Sequence, residues 1–486
     1  MPTTPEVATI RTQSLTRGPR TLIGARSLAI LSVGVLAIAA CSNSSDEAEP
    51  TDRPATTAPG DTTGPGDTTP GNTTATGDPD IGSFQPISGV PGVSDDAISF
   101  AVLGSGAANP VGLCLLDCYS QGVQAYFDYR NSMGGINGRQ LELAAVVDDD
   151  LVNTKQKALE LIDSDVFGIF AATVFQDGYA DIAEAGVPLW ITMPVASAAD
   201  GYDNMFVPIG APCVEDCQYH FSVQEAVIAG ATKVGVLGFG ASPISRGCVA
   251  SITDTFERWG PDLGIEVVYK NDSLALGFPN GVGPEVTAMK AAGVDLVQTC
   301  IDQNSVLTVL QELRRQGMND TTVVLPQGYA DQRFIEENKD LLEGALLGVF
   351  TRPFESNIEG TAAATFLEWA ERSGVQVNDF AIQGWIDADM AATAILEAGP
   401  VFDRQSAVDA FNQLTDYDAG GLISPVDWTL QHDAPTGTAN LPAQECFTFV
   451  RVVSGKFELI GDPDKPWWCW DNSATEWQEP VATDFG

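Results

Sequence analysis

From Ala97 onward, short apolar runs alternate with stretches of helical periodicity. Ile98-Ser99-Phe100-Ala101-Val102-Leu103 is a β-type run, followed by a Gly/Ser/Asn loop and a helical stretch over 119–131. Residues 141–147 read as the next strand and 153–164 as a helix, with further strands at 166–170 and 188–192. The pattern restarts near Ala229. Strands are predicted there at 233–237, 265–269, 295–299, 322–325 and 346–350, and helices at 247–259, through 286–291 and at 304–315. Strands separated by helices of this length build βαβ units and a parallel sheet. Two such series predict an α/β chain of two doubly wound parallel-sheet lobes. Ligands of such sheets sit beyond the carboxyl ends of the strands, so two facing lobes enclose a cleft.

The amino-terminal region is organised differently. Arg17, Arg20 and Arg26 precede an apolar run from Leu28 to Ala40, which ends Ile38-Ala39-Ala40-Cys41. A basic segment, a short apolar segment and small residues at the cut describe a secretory signal peptide over 1–40. The run is too short for a bilayer span, which needs about 20 apolar residues. A cysteine directly after the small pair resembles the bacterial lipoprotein signal, in which Cys41 becomes the lipidated first residue. Residues 41–95 then read as a tether rich in Ser, Thr, Pro, Gly and Asp, with too little apolar surface to offset the entropy of ordering.

Roughly 390 residues follow the tether, more than one compact core accommodates and a fit to two lobes. The chain carries 24 Lys and Arg against 65 Asp and Glu, a net charge of −41. Loss of residues 1–40 makes it more negative still. Nucleic-acid binding needs a basic surface and is not expected. Beyond Cys41 there are eight cysteines, an even number that suggests disulfides in an exported protein. Cys446 and Cys469 flank a predicted hairpin, and Cys248 and Cys300 each follow a strand of one lobe. Cys114/Cys118 and Cys213/Cys217 share one spacing. Local pairs are expected for both, with cross-pairing between the two motifs as the alternative. Only His220 and His432 are available beside the cysteines, so no metal site is expected.

The segment Gly134-Gly135-Ile136-Asn137-Gly138-Arg139-Gln140-Leu141-Glu142-Leu143, followed by Asp148-Asp149, resembles a marker of the branched-chain amino-acid-binding-protein-like family. Members are type I periplasmic solute-binding proteins of ABC transporters. Glu184-Ala185-Gly186-Val187-Pro188, Gly293-Val294-Asp295-Leu296-Val297, the segment Phe380 to Ala391 and the stretch Val450 to Phe457 are similar to later family features. The resemblance spans about 96–460. The marker itself is structural: Gly134, Gly135 and Gly138 supply turns between a helix and a strand.

The resemblance implies three hinge crossovers between lobes, with 96–209 and 350–430 in lobe 1 and 210–349 and 431–486 in lobe 2. It implies an extracytoplasmic monomer, held at the cell membrane through Cys41, that delivers a small ligand to an ABC permease. No cofactor is implied. In lobe 1, Ser105, Thr173, Phe175, Val195 and Ser197 occupy the expected contact loops, where hydroxyls and backbone N–H groups suit an anion. In lobe 2 the loops carry Ser242, Asp302, Gln327 and Tyr329. Family members that bind an α-amino group place an acidic side chain where this chain has Gln327, and Asp302 is the substitute. Tyr329 and Trp385 are candidates to enclose an apolar group. The first contact loop also departs from the family pattern, reading Gly104-Ser105-Gly106-Ala107-Ala108-Asn109-Pro110 beside Cys114 and Cys118.

An enzyme is not expected. Gly238-Phe239-Gly240-Ala241-Ser242-Pro243 places proline where a dinucleotide fingerprint needs its third glycine. No G-x-S-x-G, P-loop or H-E-x-x-H motif occurs. An extracellular sensor built on the same clamp is the alternative reading.

Overall fold

The structure, a computed structural model, describes residues 81–106, 114–192, 196–213, 215–326 and 328–486. Cys41 and the signal segment lie outside the described residues. In chain order the elements of the first series are β1 (Ala97–Gly104), α1 (Leu116–Ser132), β2 (Gln140–Asp148), α2 (Thr154–Ile162), β3 (Gly168–Ala172), α3 (Tyr179–Glu184), β4 (Leu189–Ile191), α4 (Ala196–Ala199) and β5 (Met205–Phe206). The second series is α5 (Phe221–Ala229), β6 (Lys233–Phe239), α6 (Pro243–Leu263), β7 (Glu266–Leu274), α7 (Gly283–Ala292), β8 (Leu296–Cys300), α8 (Gln303–Arg315), β9 (Thr322–Val323), α9 (Gln332–Glu337), α10 (Lys339–Leu342) and β10 (Leu346–Val349). Then come α11 (Ala362–Ser373), α12 (Asp379–Ala398), α13 (Arg404–Phe411), β11 (Gln444–Val453), β12 (Lys456–Leu459), β13 (Trp467–Asp471) and β14 (Val481–Thr483).

The first sheet is parallel throughout, in the order β2-β1-β3-β4-β5. Its central strands β1 and β3 are buried along nearly their whole length, as strands covered on both faces must be. The edge strand β2 instead alternates inward and outward residues. The second sheet is parallel in the order β7-β6-β8-β9. A parallel bridge from Val324 to Leu346 leads on to an antiparallel section, β10-β11-β13-β14, with β12 paired to β11. The uniformly parallel pattern predicted for this lobe thus gains an antiparallel extension. The turn at Ser454-Gly455 folds β12 straight back on β11, and no crossover helix is needed.

Three late helices, α11, α12 and α13, return to the first lobe. α12 packs against α1, and its apolar residues are buried almost all around. Gly384 permits this approach, since a Cβ there would stand 2.2 Å from the carbonyl oxygen of Tyr119. The chain therefore passes between the two sheets three times: from Phe206 to Phe221, from Val349 to Ala362 and from Phe411 to Gln444. The passages adjoin one another. The Arg352 N–H donates to the Leu422 carbonyl at 2.8 Å, and the Ala211 N–H donates to that of Gln431 at 2.9 Å.

Residues 81–95, read from sequence as the end of the tether, lie bonded to the first lobe. The Ser99 N–H donates to the Gly92 carbonyl at 2.8 Å, and the Asn137 N–H to that of Ile81 at 2.7 Å. Buried Arg139 donates to the carbonyls of Gln85 and Ser94, both at 2.7 Å. The physical reason for the correction is that this stretch makes backbone bonds to the lobe while Ile87, Val90 and Val93 pack against its core and Phe84 lies under the Arg139 guanidinium. Gly134, Gly135 and Gly138 take the positive φ that the turn before β2 requires. Among the described residues four disulfides are present: Cys114–Cys118, Cys213–Cys217, Cys248–Cys300 and Cys446–Cys469. The last joins residues directly opposite on β11 and β13.

Candidate binding cleft

At the carboxyl end of the first sheet, Ser105 follows β1 and is fully buried. Its hydroxyl donates to Asp149 Oδ2 at 3.1 Å and accepts the Val174 N–H at 3.0 Å. Asp149 also accepts from Thr154 Oγ1 at 2.7 Å and from the Leu151 N–H at 2.9 Å. Ser105 thus ties together the loops after three strands. Thr173 Oγ1 donates to the Phe175 carbonyl at 2.6 Å and contacts the Tyr179 hydroxyl at 2.8 Å. Both hydroxyls are engaged within the protein. Phe175 itself is 44% exposed. Val195 lies outside the described residues, and Ser197 is described only as part of α4.

On the second lobe, two predicted contacts act as helix caps. Ser242 Oγ accepts the Ser245 N–H at 3.2 Å, and Asp302 Oδ1 accepts the Ser305 N–H at 3.0 Å. Asp302 Oδ2 further accepts from the Ser305 hydroxyl at 2.6 Å. Capping satisfies helix donors that otherwise lack partners. Gln327 lies outside the described residues. Trp385 sits two turns inside α12, against Tyr126, Tyr129 and Phe366 at ring separations of 5.1, 5.5 and 5.5 Å. Its place is in the packed interior of the first lobe.

Tyr329 is where the lobes meet. Its hydroxyl donates to Glu355 Oε2 at 2.9 Å and accepts the Phe354 N–H at 2.5 Å. Its own N–H donates at 3.0 Å to Asp379 Oδ2, which also accepts the Gly328 N–H at 2.5 Å. Burial pushes the Asp379 carboxyl up to about 7, although the two backbone donors oppose the shift. Two cavities adjoin this junction and share Asp379 and Phe380. One, of about 220 Å³, has mainly apolar walls, among them Val207, Ile209, Tyr329, Leu347, Val349 and Phe350. The other, of about 230 Å³, has a polar wall that includes Gln303, Asn304, Asp331, Arg333, Asn338 and Asn378. Cys114 also lines the polar cavity, so the Cys114–Cys118 loop forms part of the cleft.

Asp379, Phe380, Gln383 and the hinge residues were not among the candidates read from sequence. A signal for the first two exists in Asn378-Asp379 ahead of an apolar run. Asn378 Oδ1 caps α12 by accepting the N–H groups of Phe380 and Ala381 at 3.1 and 3.0 Å.

Two α/β lobes, three adjoining passages and open cavities lined by both lobes define a type I periplasmic-binding fold. A family model described as "Periplasmic binding protein" matches residues 111–456, and the chain belongs to that family. No curated protein matches the sequence. Among solved structures, the fold is similar to that of a branched-chain amino acid ABC transporter from Thermus thermophilus with bound valine. That pair shares 17% identity and a TM-score of 0.57 over 80% of this chain and 97% of the other. A fatty acid ABC transporter substrate-binding protein from Thermomonospora curvata matches at 18% identity and a TM-score of 0.57, over 82% and 96% of the two chains. A solute-binding protein from R. palustris in complex with 4-hydroxybenzoate matches at 17% and 0.57, over 75% and 96%. At these identities the likeness is one of fold.

Proposed function

We propose that this chain is an extracytoplasmic solute-binding lipoprotein of an ABC importer, anchored through Cys41, that captures a small amphipathic solute between its lobes. One observation carries the reading: an apolar and a polar cavity adjoin at Asp379, with walls drawn from both lobes. An apolar body fits among Val207, Leu347, Val349 and Phe350. A hydrogen-bonding head fits against Gln303, Asn304, Asn378 and Arg333. Few, well-placed polar groups in an otherwise apolar wall fix orientation in small-molecule sites. An amino acid, or a related amide or carboxylate, has this form. The lobes divide at about 209/210, 349/350 and 430/431, and closure about these passages is a hinge motion. An ABC permease is the partner that takes up the released solute.

A thermal-shift screen of amino acids, amides, aromatic and aliphatic carboxylates and sugars tests the proposal. A solute that binds only the folded state raises the melting temperature by an amount that grows with the logarithm of its concentration over Kd. A solute of the amphipathic class is expected to do so. A shift by sugars alone, or by no small solute, contradicts the reading.

A further inference from the structure

A larger cavity, of about 510 Å³, lies beside the hinge on the face of the second sheet covered by α5 and α6. Its walls come from the first passage (Ile209 to Cys213), the third passage (Ser424 to Val426) and the second lobe. It adjoins the apolar cavity of the cleft along Ile209, Gly210, Pro212, Pro326 and Gly348, which line both. Its volume is in the range that accommodates small organic ligands.

The wall has an unusual charge pattern. Two carboxyl groups line it, Glu225 and Glu445, and among the described residues no Lys, Arg or His does. Glu445 is well compensated. It accepts the N–H groups of His220 and Phe221 at the start of α5, at 2.7 and 2.9 Å, and faces His220 Nδ1 at 3.0 Å. Among the described residues, Glu225 has two donors, both neutral. The Gly348 N–H reaches Oε1 at 3.0 Å, and Gln298 Nε2 reaches Oε2 at 2.9 Å. Glu225 and Gln298 are each only 2% exposed. A buried carboxylate without a counter-charge costs several kcal/mol. Burial accordingly pushes the Glu225 carboxyl up to about 8.

We propose that this cavity is a second binding site, for an organic ammonium ion with an apolar body, and that Glu225, which gives up its proton to solvent as the cation enters, is the anchor. The ammonium supplies the counter-charge that the protein wall lacks. The stacked pair Phe221 and Phe447, whose ring centroids are 4.2 Å apart, and Tyr219 present aromatic surface to the cation. Ile244, Ile252 and Leu325 receive the hydrocarbon. Because two hinge passages contribute walls, an occupant also biases the hinge angle. This site stands independently of what the interlobe cleft binds.

The test is isothermal titration with three probes of one shape: 4-phenylbutylammonium, 4-phenylbutan-1-ol and 4-phenylbutanoate. The ammonium is expected to bind saturably, at least about tenfold more tightly than the alcohol, with the carboxylate weakest. Glu225→Gln preserves shape and is expected to remove the preference for the ammonium while leaving the alcohol's affinity unchanged. Gly247 lines the cavity, and a Cβ there meets no atom within 4 Å. Gly247→Trp is therefore expected to fill the mouth and weaken both probes without touching Glu225, which keeps the test available if Glu225→Gln folds poorly. Equal binding of ammonium and alcohol, unchanged ammonium affinity in Glu225→Gln or Gly247→Trp, or no saturable binding overturns the proposal. Loss of ammonium binding in Asp379→Asn but not in Glu225→Gln places the cation in the cleft, and also overturns it.

Discussion

The Tyr329 N–H donates to the Asp379 carboxylate at 3.0 Å, and this bond joins the loop after β9 to the first turn of α12. The two elements belong to different lobes, so the bond fastens the clamp at the cleft. Asp379→Ala leaves the Gly328 and Tyr329 N–H groups without their acceptor. A buried donor left unpaired costs about 1–3 kcal/mol. The expected result is a lower denaturation midpoint and an increased radius of gyration in small-angle scattering, as the lobes separate. Asp379→Asn keeps one acceptor oxygen and is expected to lose less on both measures.

The buried carboxyls set the pH dependence of stability. Burial raises Asp379 to about 7 and Glu225 to about 8, above the unfolded range of about 4. The native state then holds protons that the unfolded chain has already released. Each group's contribution is complete below the unfolded pKa and is lost as pH rises toward the folded value, by at most about 1.4 kcal/mol per pH unit. Burial raises Asp387 and Asp389 as well, and they act in the same direction. Stability is therefore expected to fall between pH 5 and pH 8. Urea melts across this range check it, and Glu225→Gln is expected to flatten the slope.

Disulfide loss has unequal consequences. Cys248–Cys300 spans 52 residues of sequence and Cys114–Cys118 spans 4. On the chain-entropy account the longer loop contributes about 4 kcal/mol and the shorter about 2. Replacing Cys248 and Cys300 by Ser is expected to lower the urea midpoint about twice as far as replacing Cys114 and Cys118. The second pair instead shapes the polar cavity, so its removal is expected to act mainly on solute affinity, read by titration.

Much of this architecture is legible in the sequence because burial on both faces leaves continuous apolar runs, as at Phe100 to Leu103. The turn before β2 is legible because Gly134, Gly135 and Gly138 supply the positive φ it needs, with Asn137 between them also in the left-handed region. The contacts at the cleft are harder to read. Ser242 and Asp302 have the residue types of ligand contacts and also those of helix caps, and the cap geometry is what the structure displays. Trp385 belongs to the interior because α12 is buried on nearly every side, which sequence alone does not reveal. Asp379 becomes conspicuous only when α12 is seen to return to the first lobe and present its first turn to Tyr329. The ordering of 81–95 rests on sparse apolar contacts from Ile87, Val90 and Val93 and on carbonyls that accept from the Arg139 side chain, too dispersed a pattern to stand out from the polar tether before it.

The central claim, that a small solute is held between the lobes by residues of both, is tested most directly by hydrogen–deuterium exchange with and without a solute found by thermal shift. The account predicts slower exchange in 207–212, 328–331 and 378–383 together, since these segments line the cleft from both lobes and the hinge. Protection confined to one lobe, or to 221–226 and 243–252 alone, would contradict it.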